Sequence, residues 1–298
     1  MYSCLDVPVS PRDFHDRLYG GDVFRFAGLG AMAALIGFTR DFLEEGFAPH
    51  APAEIHRHLS HAEQVETFVR LEKAFIQSAE VNRLWTEVFA AVGLDAGRIA
   101  RDRLHLRFQP HQDPGADMPR PRATATVAFH RDTWGSNLYA QVNWWAPVYP
   151  ITAGRTFAIF PDLWSRAVPN TTATYDLEAL LDRSRTGGRH AVSADEAIPH
   201  LTGAVDVGTT VPVVIDPGEV IAFSSAHAHA GVPNATGLTR ISLETRTLWI
   251  DDVREGRGAP NVDGAAPWMA PGWFRRVSDG EKLSGLLAMN HIEPYRRP

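Results

Sequence analysis

Residues 217–247 read PGEVIAFSSAHAHAGVPNATGLTRISLETRT, with turn residues alternating with short apolar and β-branched runs. Pro217-Gly218 is typical of a tight turn, and the apolar run Val220–Phe223 after it predicts a β-strand. A second turn, Pro-Asn-Ala-Thr-Gly, lies about midway between His229 and Arg240. The chain therefore reverses at this turn, which places Arg240 at a height in the sheet similar to that of His229. A further strand is expected to begin at Arg240.

The same rhythm of short strand-like runs extends over about residues 99–250. Further candidate strands are Leu104–Phe108, Thr124–Phe129, Ala140–Trp145, Thr156–Phe160, Val211–Ile215 and Thr239–Trp249. Pro, Gly, Asn and Asp separate these runs, as expected for packed antiparallel sheets. We predict a mainly β fold with helical additions, built on a double-stranded β-helix (jelly roll) core. A helix-like segment near Asp176–Arg185 is predicted to be a loop insertion.

The flanking segments have different patterns. Residues about 10–98 carry apolar positions at helical spacing, and Ser10-Pro11 has the form of a helix N-cap. These N-terminal helices are expected to flank the core. Residues about 251–298 are rich in Gly, Pro and Arg, and are predicted to wrap the core or cover its mouth. With no internal repeat or low-complexity linker, residues 1–298 are interpreted as a single domain.

Composition excludes several classes of function. The 298 residues carry a formal net charge of −6, which disfavours nucleic acid and anionic membranes as partners. Cys4 is the only cysteine, so neither an intrachain disulfide nor a cysteine-based zinc site can form. The first residues lack a signal-peptide pattern, and no segment has the apolar length of a membrane span. We therefore expect a cytoplasmic protein with a small-molecule substrate, in an oligomeric state that the sequence leaves open.

The triplet His130-Arg131-Asp132 is the strongest local chemical signal. On an extended chain, side chains alternate, so His130 and Asp132 point to one side and Arg131 to the other. Two imidazoles and one carboxylate would leave three open positions on an octahedral Fe(II). A His-x-Asp alone is weak, and a kinase catalytic loop is excluded because the chain lacks Asp-Phe-Gly. Arg240, with Ser242 on the same face, offers a planar fork suited to a carboxylate.

Together these residues resemble the Fe(II)/2-oxoglutarate-dependent dioxygenase superfamily, and most closely its phytanoyl-CoA dioxygenase-like branch. In that branch a His-x-Asp precedes a distant His-x-(Ser/Gly)-x-x-Asn-x-(Ser/Thr), with an Arg shortly beyond. Here Gly231, Asn234 and Thr236 occupy the matching positions after His229, and Arg240 follows. The resemblance covers about residues 120–250. The branch's usual Asn-Gly and Pro-Gly-Ser-His features are absent, which leaves the substrate contacts open.

The resemblance implies a role for each matching residue. His130, Asp132 and His229 would bind iron, and Arg240, helped by Ser242, would bind the distal carboxylate of 2-oxoglutarate. The expected cofactors are Fe(II), 2-oxoglutarate and O2. The expected activity is hydroxylation of a C–H bond of a secondary metabolite, amino acid or sugar derivative, with release of succinate and CO2. Related halogenases carry Gly or Ala in place of Asp132, so halogenation is disfavoured. Desaturation, cyclisation and epimerisation stay open.

Further candidates surround this constellation. Gln141 and Asn143 share a strand face and are candidates to bind 2-oxoglutarate or substrate. Trp134 and Trp145 are interpreted either as a wall of the substrate pocket or as ordinary core. Two more candidates for the pocket are His227, on the same predicted strand face as His229, and Arg246, on the face of Arg240.

Two other functions remain compatible with the sequence. One is a cupin-type jelly-roll metalloenzyme that does not use 2-oxoglutarate, and the other is a non-catalytic small-molecule-binding protein on the same fold. The intact triad together with Arg240 favours the oxygenase.

Overall fold

The computed structural model describes residues 3–5, 10–113, 123–177, 179–180, 182–183, 198–287 and 295–296. It shows antiparallel sheets with helices packed against them, so the predicted combination of packed antiparallel strands with helical additions is confirmed. Of the strand pairs described, β1 with β2 is parallel and the others are antiparallel. Within the described residues, no helix has the length and apolarity needed to cross a membrane.

The helices and strands occur in the following bounds. The helices are α1 (Pro11–Tyr19), α2 (Gly30–Phe47), α3 (His61–Gln77), α4 (Ala79–Ala91), α5 (Asp132–Ser136), α6 (Ile250–Arg254) and α7 (Leu283–Leu286). Short 3-10 turns occupy Pro52–Arg57, Pro161–Leu163 and Pro271–Trp273. The strands are β1 (Ser3–Leu5), β2 (Val23–Phe26), β3 (Ile99–Arg101), β4 (His105–Gln109), β5 (Gln141–Pro147), β6 (Phe157–Ile159), β7 (Val211–Pro212), β8 (Val220–Ser224), β9 (His229–Gly231), β10 (Arg240–Trp249), β11 (Trp268–Met269), β12 (Arg275–Arg276) and β13 (Tyr295–Arg296).

Two sheets enclose the interior. The large sheet has the order β1-β2-β8-β5-β10-β3-β12, with β4 also paired to β10. The small sheet has the order β7-β6-β9. Alternation along β5 gives the large sheet two different faces. Val142 and Trp144 pack into the core shared with the helices, whereas Trp145 packs with Phe157 and Phe223 between the sheets.

The N-terminal helices begin where the sequence predicts. The Ser10 hydroxyl accepts a hydrogen bond from the Asp13 N–H at 3.2 Å, and Pro11 is the first helical residue. α3 begins with a reciprocal capping box between Ser60 and Glu63. The helical region is nevertheless interrupted by β2, which joins the large sheet beside β8. Its residues alternate between half-buried and buried, a strand period that overrides the surrounding helical pattern.

Several predicted strand bounds are wrong. Thr124–Phe129 is not a strand: among the described residues it accepts one backbone–backbone hydrogen bond, from the Gly231 N–H to the Val127 carbonyl, and the isolated bridge follows at His130. The strand predicted over Val211–Ile215 is limited to Val211–Pro212. The helix predicted near Asp176–Arg185 lies partly outside the described residues.

The C-terminal segment packs beside the start of β5. The amide of Ala259 donates to the carbonyl of Tyr139, and the amide of Ala270 donates to the carbonyl of Ser136. The side-chain amide of Asn137, which has a left-handed backbone at φ 54°, donates to the Ala266 and Trp268 carbonyls. This segment therefore lies against α5, the helix that opens with Asp132.

Candidate metal centre

His130, Asp132 and His229 converge although they come from three different local structures. His130 lies just before α5, Asp132 is the first residue of that helix, and His229 opens β9. The two histidines form an antiparallel bridge with both N–H···O distances at 3.0 Å. One ligand atom from each of the three residues lies within 4.8 Å of the others. Among the described residues, this is the one group of three or more such side chains with that geometry.

Both histidines present the same nitrogen to the cluster. His130 Nδ1 lies 2.9 Å from the Ala128 carbonyl, and His229 Nδ1 lies 3.0 Å from the His227 carbonyl. A carbonyl oxygen only accepts, so each Nδ1 carries a proton and Nε2 is the nitrogen that each ring turns toward the cluster. Those Nε2 atoms lie 3.7 Å and 3.5 Å from the two oxygens of Asp132. The imidazoles are therefore in the tautomer that metal binding requires.

Asp132 is held from both sides. Asn143 Nδ2 donates to Oδ2 at 2.6 Å, and the Arg246 guanidinium donates to Oδ1 at 2.7 Å and 3.1 Å. The Ser225 hydroxyl donates to Asn143 Oδ1, which fixes the amide with its N–H groups toward Asp132. Although burial raises the pKa of Asp132, the Arg246 guanidinium holds it well below its usual value. The site therefore presents an ionised, oriented carboxylate.

Burial keeps His229 neutral. It lowers the pKa of His229 to about 4, and the neighbouring His130 contributes to the same shift. The ring lies among aromatic groups, with Phe223 at 5.5 Å and 82° and Phe157 at 6.0 Å and 75°. At neutral pH the Nε2 lone pair is thus available to a cation on an otherwise apolar wall.

The donor set fits a divalent transition metal. Imidazole and carboxylate ligands lie about 2.0–2.2 Å from such an ion, which requires cis ligand atoms about 3 Å apart. The separations of 3.5 Å and 3.7 Å need only a small contraction to reach that geometry. Two imidazoles and one carboxylate form the facial arrangement typical of non-haem Fe(II) sites, with open positions on the opposite side.

Arg240, the first residue of β10, is a buried cation whose nearby carboxylate, Glu244, leaves part of its hydrogen-bonding capacity unused. Its Nε and one terminal nitrogen have no hydrogen-bond partner among the residues that the structure describes. Burial lowers the pKa of Arg240 to about 10, so the guanidinium is still charged at neutral pH. Glu244, on the same face, already accepts from Arg107 at 3.1 Å and from the Ser242 hydroxyl at 3.2 Å. Burying a cation whose donors lack hydrogen-bond partners is costly, which marks this position as suited to an anionic ligand.

Three further predicted polar candidates on β5 and β10 have distinct surroundings. The side chains of Asn143 and Arg246 lie at the metal cluster, where both donate to Asp132. Arg246 also donates to Asp102 at 2.9 Å. Gln141 is buried, and its side-chain oxygen has no partner among the described groups.

His227 lies apart from the metal cluster. A turn at residues 225–226 breaks the strand before it, so the predicted shared face of His227 and His229 is wrong. Its Nε2 lies 3.1 Å from the Gly21 carbonyl, and its ring is 4.4 Å from that of Trp164. Burial lowers the pKa of His227 to about 3.

The two tryptophans are both buried. Trp134 packs in a cluster with Phe160 and Leu163, and its ring N–H donates to Asp263 at 2.7 Å. Because α5 begins at Asp132, Trp134 is helical and does not continue a strand. Trp145 packs edge-on against Phe157 at 5.1 Å in the apolar interior between the sheets.

Sequence reasoning missed three groups that shape the site. Asp102 pairs with Arg246, Ser225 orients Asn143, and Asp263 pairs with Arg131. Ser225 directly follows β8, but its position in the sequence does not indicate that its hydroxyl would bond Asn143. The two aspartates contact residues more than 100 positions away, so no local pattern could identify them.

Neither a protein-family model nor a curated protein sequence matches this chain. Solved structures to which this chain is similar include apo ThoJ, a non-haem monooxygenase, at 16% identity, covering 64% of this chain and 71% of that one, with a TM-score of 0.38. EvdO2 from Micromonospora carbonacea var. aurantiaca complexed with 2-oxoglutarate is 13% identical, covers 82% and 93%, and has a TM-score of 0.46. EctD from S. alaskensis with 2-oxoglutarate and 5-hydroxyectoine is 15% identical, covers 88% of each chain and has a TM-score of 0.40. With scores this low, the interpretation of the site depends on its own geometry.

Proposed function

We propose that this chain is an Fe(II)- and 2-oxoglutarate-dependent oxygenase that hydroxylates a C–H bond of a small organic molecule, releasing succinate and CO2. The observation that carries the proposal is the combination of two features within one interior. A two-histidine, one-carboxylate cluster is contacted by Arg246 of β10, and Arg240, on the same face of that strand, is buried with donors that have no partner among the described residues. The fold in this proposal is a single-domain double-stranded β-helix, supported by the two sheets that face each other.

The metal would be held by His130 Nε2, His229 Nε2 and a carboxylate oxygen of Asp132. When bound, Fe(II) supplies the redox chemistry by which dioxygen oxidises first the 2-oxo acid and then a substrate C–H bond. The protein fixes the ligand geometry in advance, because both imidazole tautomers and the Asp132 carboxylate are already set by hydrogen bonds. Since a carboxylate ligand is present, hydroxylation is favoured over halogenation.

Arg240 would bind the distal carboxylate of 2-oxoglutarate. Its free N–H groups match the two oxygens of a carboxylate in a forked geometry. Binding of 2-oxoglutarate would compensate the buried charge of Arg240. Much of the binding energy of 2-oxoglutarate would therefore come from its distal carboxylate. Ser242, one strand period further along, would turn its hydroxyl from Glu244 to the same carboxylate. This contact directs the 2-oxo end toward the metal cluster.

The apolar interior would keep bulk water away from the reaction. Trp145, Phe157, Ile221 and Phe223 pack together between the sheets, and two of these rings flank His229. A dry site strengthens the electrostatic contacts of Asp132 and Arg240 and limits side reactions.

The sequence around His229 supports the phytanoyl-CoA dioxygenase-like branch as the more specific assignment. Arg240 follows His229 by 11 residues, and the turn between them is fixed by Asn234. The buried Asn234 amide donates to the Gln109 and Leu238 carbonyls, and its oxygen accepts from the Thr236 hydroxyl. The conformation of this turn sets where Arg240 enters the interior.

The test is an anaerobic titration followed by visible absorption. Metal-free protein receives Fe(II) and then 2-oxoglutarate, and a weak metal-to-ligand charge-transfer band is expected. Asp132→Ala should abolish the band by removing a metal ligand, and Arg240→Ala should weaken it by reducing occupancy of the 2-oxo acid. Stoichiometric iron without any band would contradict the use of 2-oxoglutarate and favour a cupin-type metalloenzyme. Absence of iron binding would favour a binding protein.

A further inference from the structure

Arg131 lies between two candidate metal ligands in sequence, yet its side chain points away from the cluster. The side chain is only 2% exposed. Its Nε donates to Asp263 Oδ2 at 3.0 Å, and one terminal nitrogen donates to the Ala226 carbonyl at 2.5 Å. The other terminal nitrogen donates to the Leu163 and Arg166 carbonyls at 2.8 Å and 3.0 Å. One buried guanidinium therefore joins four separate positions behind the metal cluster.

These contacts reach the segments that carry all three ligands. Arg131 is covalently next to His130 and Asp132, and Ala226 lies three residues before His229. The turn containing Ala226 is further fixed by the amide of Thr133, which donates to the Ser225 carbonyl at 3.3 Å. A displacement of Arg131 would consequently shift the three ligands relative to one another.

Asp263 supplies the only charge opposite Arg131 in these contacts. Its side chain is 5% exposed, and it accepts from the Trp134 ring N–H at 2.7 Å and from the Val168 amide at 3.2 Å. Its backbone carbonyl accepts from Asn170 Nδ2 at 2.9 Å. A buried guanidinium that lost this carboxylate would be an uncompensated charge, and local structure would rearrange to reach water.

We propose that Arg131 and Asp263 are positioning residues of the metal centre, and that the C-terminal segment is part of its support. This inference rests on the proposed metal site. Metal ligands need to be held to about 0.5 Å, and the groups behind them share that task. Replacing such supporting partners typically weakens metal binding about 10- to 100-fold.

The experiment is a Co(II) titration of the full-length metal-free protein without 2-oxoglutarate, read from the visible ligand-field bands. Asp263→Asn keeps the shape of the side chain but removes its charge. We expect the Co(II) dissociation constant to rise about tenfold, at the low end of the range for supporting groups, with altered band intensities. Asp252→Asn is the matched control, because Asp252 is equally buried and pairs with Arg257 and Tyr19. It should lower the melting temperature and leave Co(II) affinity unchanged.

A milder variant keeps the test decisive if Asp263→Asn does not fold. Trp134→Phe retains an aromatic ring and removes one donor to Asp263, for which we expect about two- to threefold weaker Co(II) binding. Wild-type affinity in the folded variants would overturn the positioning role while leaving the metal site intact. Equal weakening in Asp252→Asn would also overturn it, because the effect would then be general loss of stability. A wild-type protein that binds no Co(II) would overturn the metal site and the positioning role together.

Discussion

Arg240 and Arg246 lie on the same strand and the same face, and they have opposite surroundings. Arg246 donates to Asp102 and to Asp132, and although burial lowers its pKa, these two carboxylates raise it overall. Arg240 has donors without a partner among the described residues, and burial lowers its pKa to about 10. The same type of side chain is therefore satisfied at one end of β10 and has unsatisfied donors at the other, where it is more deeply buried.

This difference distinguishes an arginine that supports the structure, Arg246, from one that is suited to bind a ligand, Arg240. Burying a guanidinium costs several kcal/mol unless an anion and good hydrogen bonds compensate. For Arg246 the chain itself supplies both carboxylates, so that residue belongs to the support of Asp132. For Arg240 the described residues supply only the charge of Glu244, which is bonded to Arg107, and an anion from outside is the natural partner for its free donors. Identical substitutions at the two positions should thus have opposite consequences.

The largest expected effect is on the stability of Arg246→Met. Removing this guanidinium leaves Asp102 and Asp132 as buried carboxylates without their charge partner, at a cost of about 3–5 kcal/mol in the free energy of unfolding. Arg240→Met removes an unpaired buried charge, so its free energy of unfolding should be unchanged or higher. Urea denaturation of the metal-free proteins measures both. Equal destabilisation by the two substitutions would contradict the comparison.

The next effect is on co-substrate affinity in Arg240→Met. Loss of one partner of a buried, hydrogen-bonded charge pair costs about 2–5 kcal/mol, so 2-oxoglutarate should bind at least about 30-fold more weakly. Calorimetric titration of the Mn(II)-loaded protein gives the dissociation constant. The Mn(II) affinity of the same variant is the control and should equal that of wild type. A parallel loss of Mn(II) binding would show that Arg240 acts through the metal cluster instead.

A smaller effect separates two neighbours on β5. Asn143→Leu removes the donor to Asp132 Oδ2 and should weaken Co(II) binding about tenfold, because the carboxylate loses one of its two orienting partners. Gln141→Leu is the matched control on the same strand face, since Gln141 makes no hydrogen bond to Asp132 among the described contacts. Similar affinities in the two variants would indicate that Arg246 alone orients the carboxylate.

The smallest effect concerns Ser242. Its hydroxyl donates to Glu244 in the structure, and co-substrate binding requires it to exchange one acceptor for another. Ser242→Ala should therefore weaken 2-oxoglutarate binding only about two- to fivefold, the range of one net hydrogen bond. A loss as large as that of Arg240→Met would mean that Ser242, not Arg240, is the main carboxylate contact.

The sequence predicts those parts of the site that depend on local spacing. The His-x-Asp triplet, His229 and Arg240 each stand in a recognisable pattern, and the structure gathers His130, Asp132 and His229 into one cluster. The prediction of shared faces from alternating side-chain directions fails where the backbone leaves the extended conformation. The turn before His227 separates it from His229, and α5 begins at Asp132 where a continued strand was expected.

Long-range partners are beyond any local pattern. Arg246 finds Asp102 across 144 positions, and Arg131 finds Asp263 across 132. Both arginines were visible as charged residues near the motif, but which carboxylate compensates each one is decided by tertiary packing. Likewise β2 is a strand within a helical region because Phe24 and Phe26 are buried beside β8.

The most direct test of the central claim combines a change in the ligand with a change in the protein. 2-Oxoglutarate and 2-oxopentanoate share a five-carbon chain and the 2-oxo acid, and only the first has a distal carboxylate. Dissociation constants are measured for both with Mn(II)-loaded wild type and Arg240→Met. We predict that deleting the carboxylate weakens binding about 30-fold or more in wild type and has little effect in the variant. An equal loss in both proteins would contradict the pairing of Arg240 with the co-substrate.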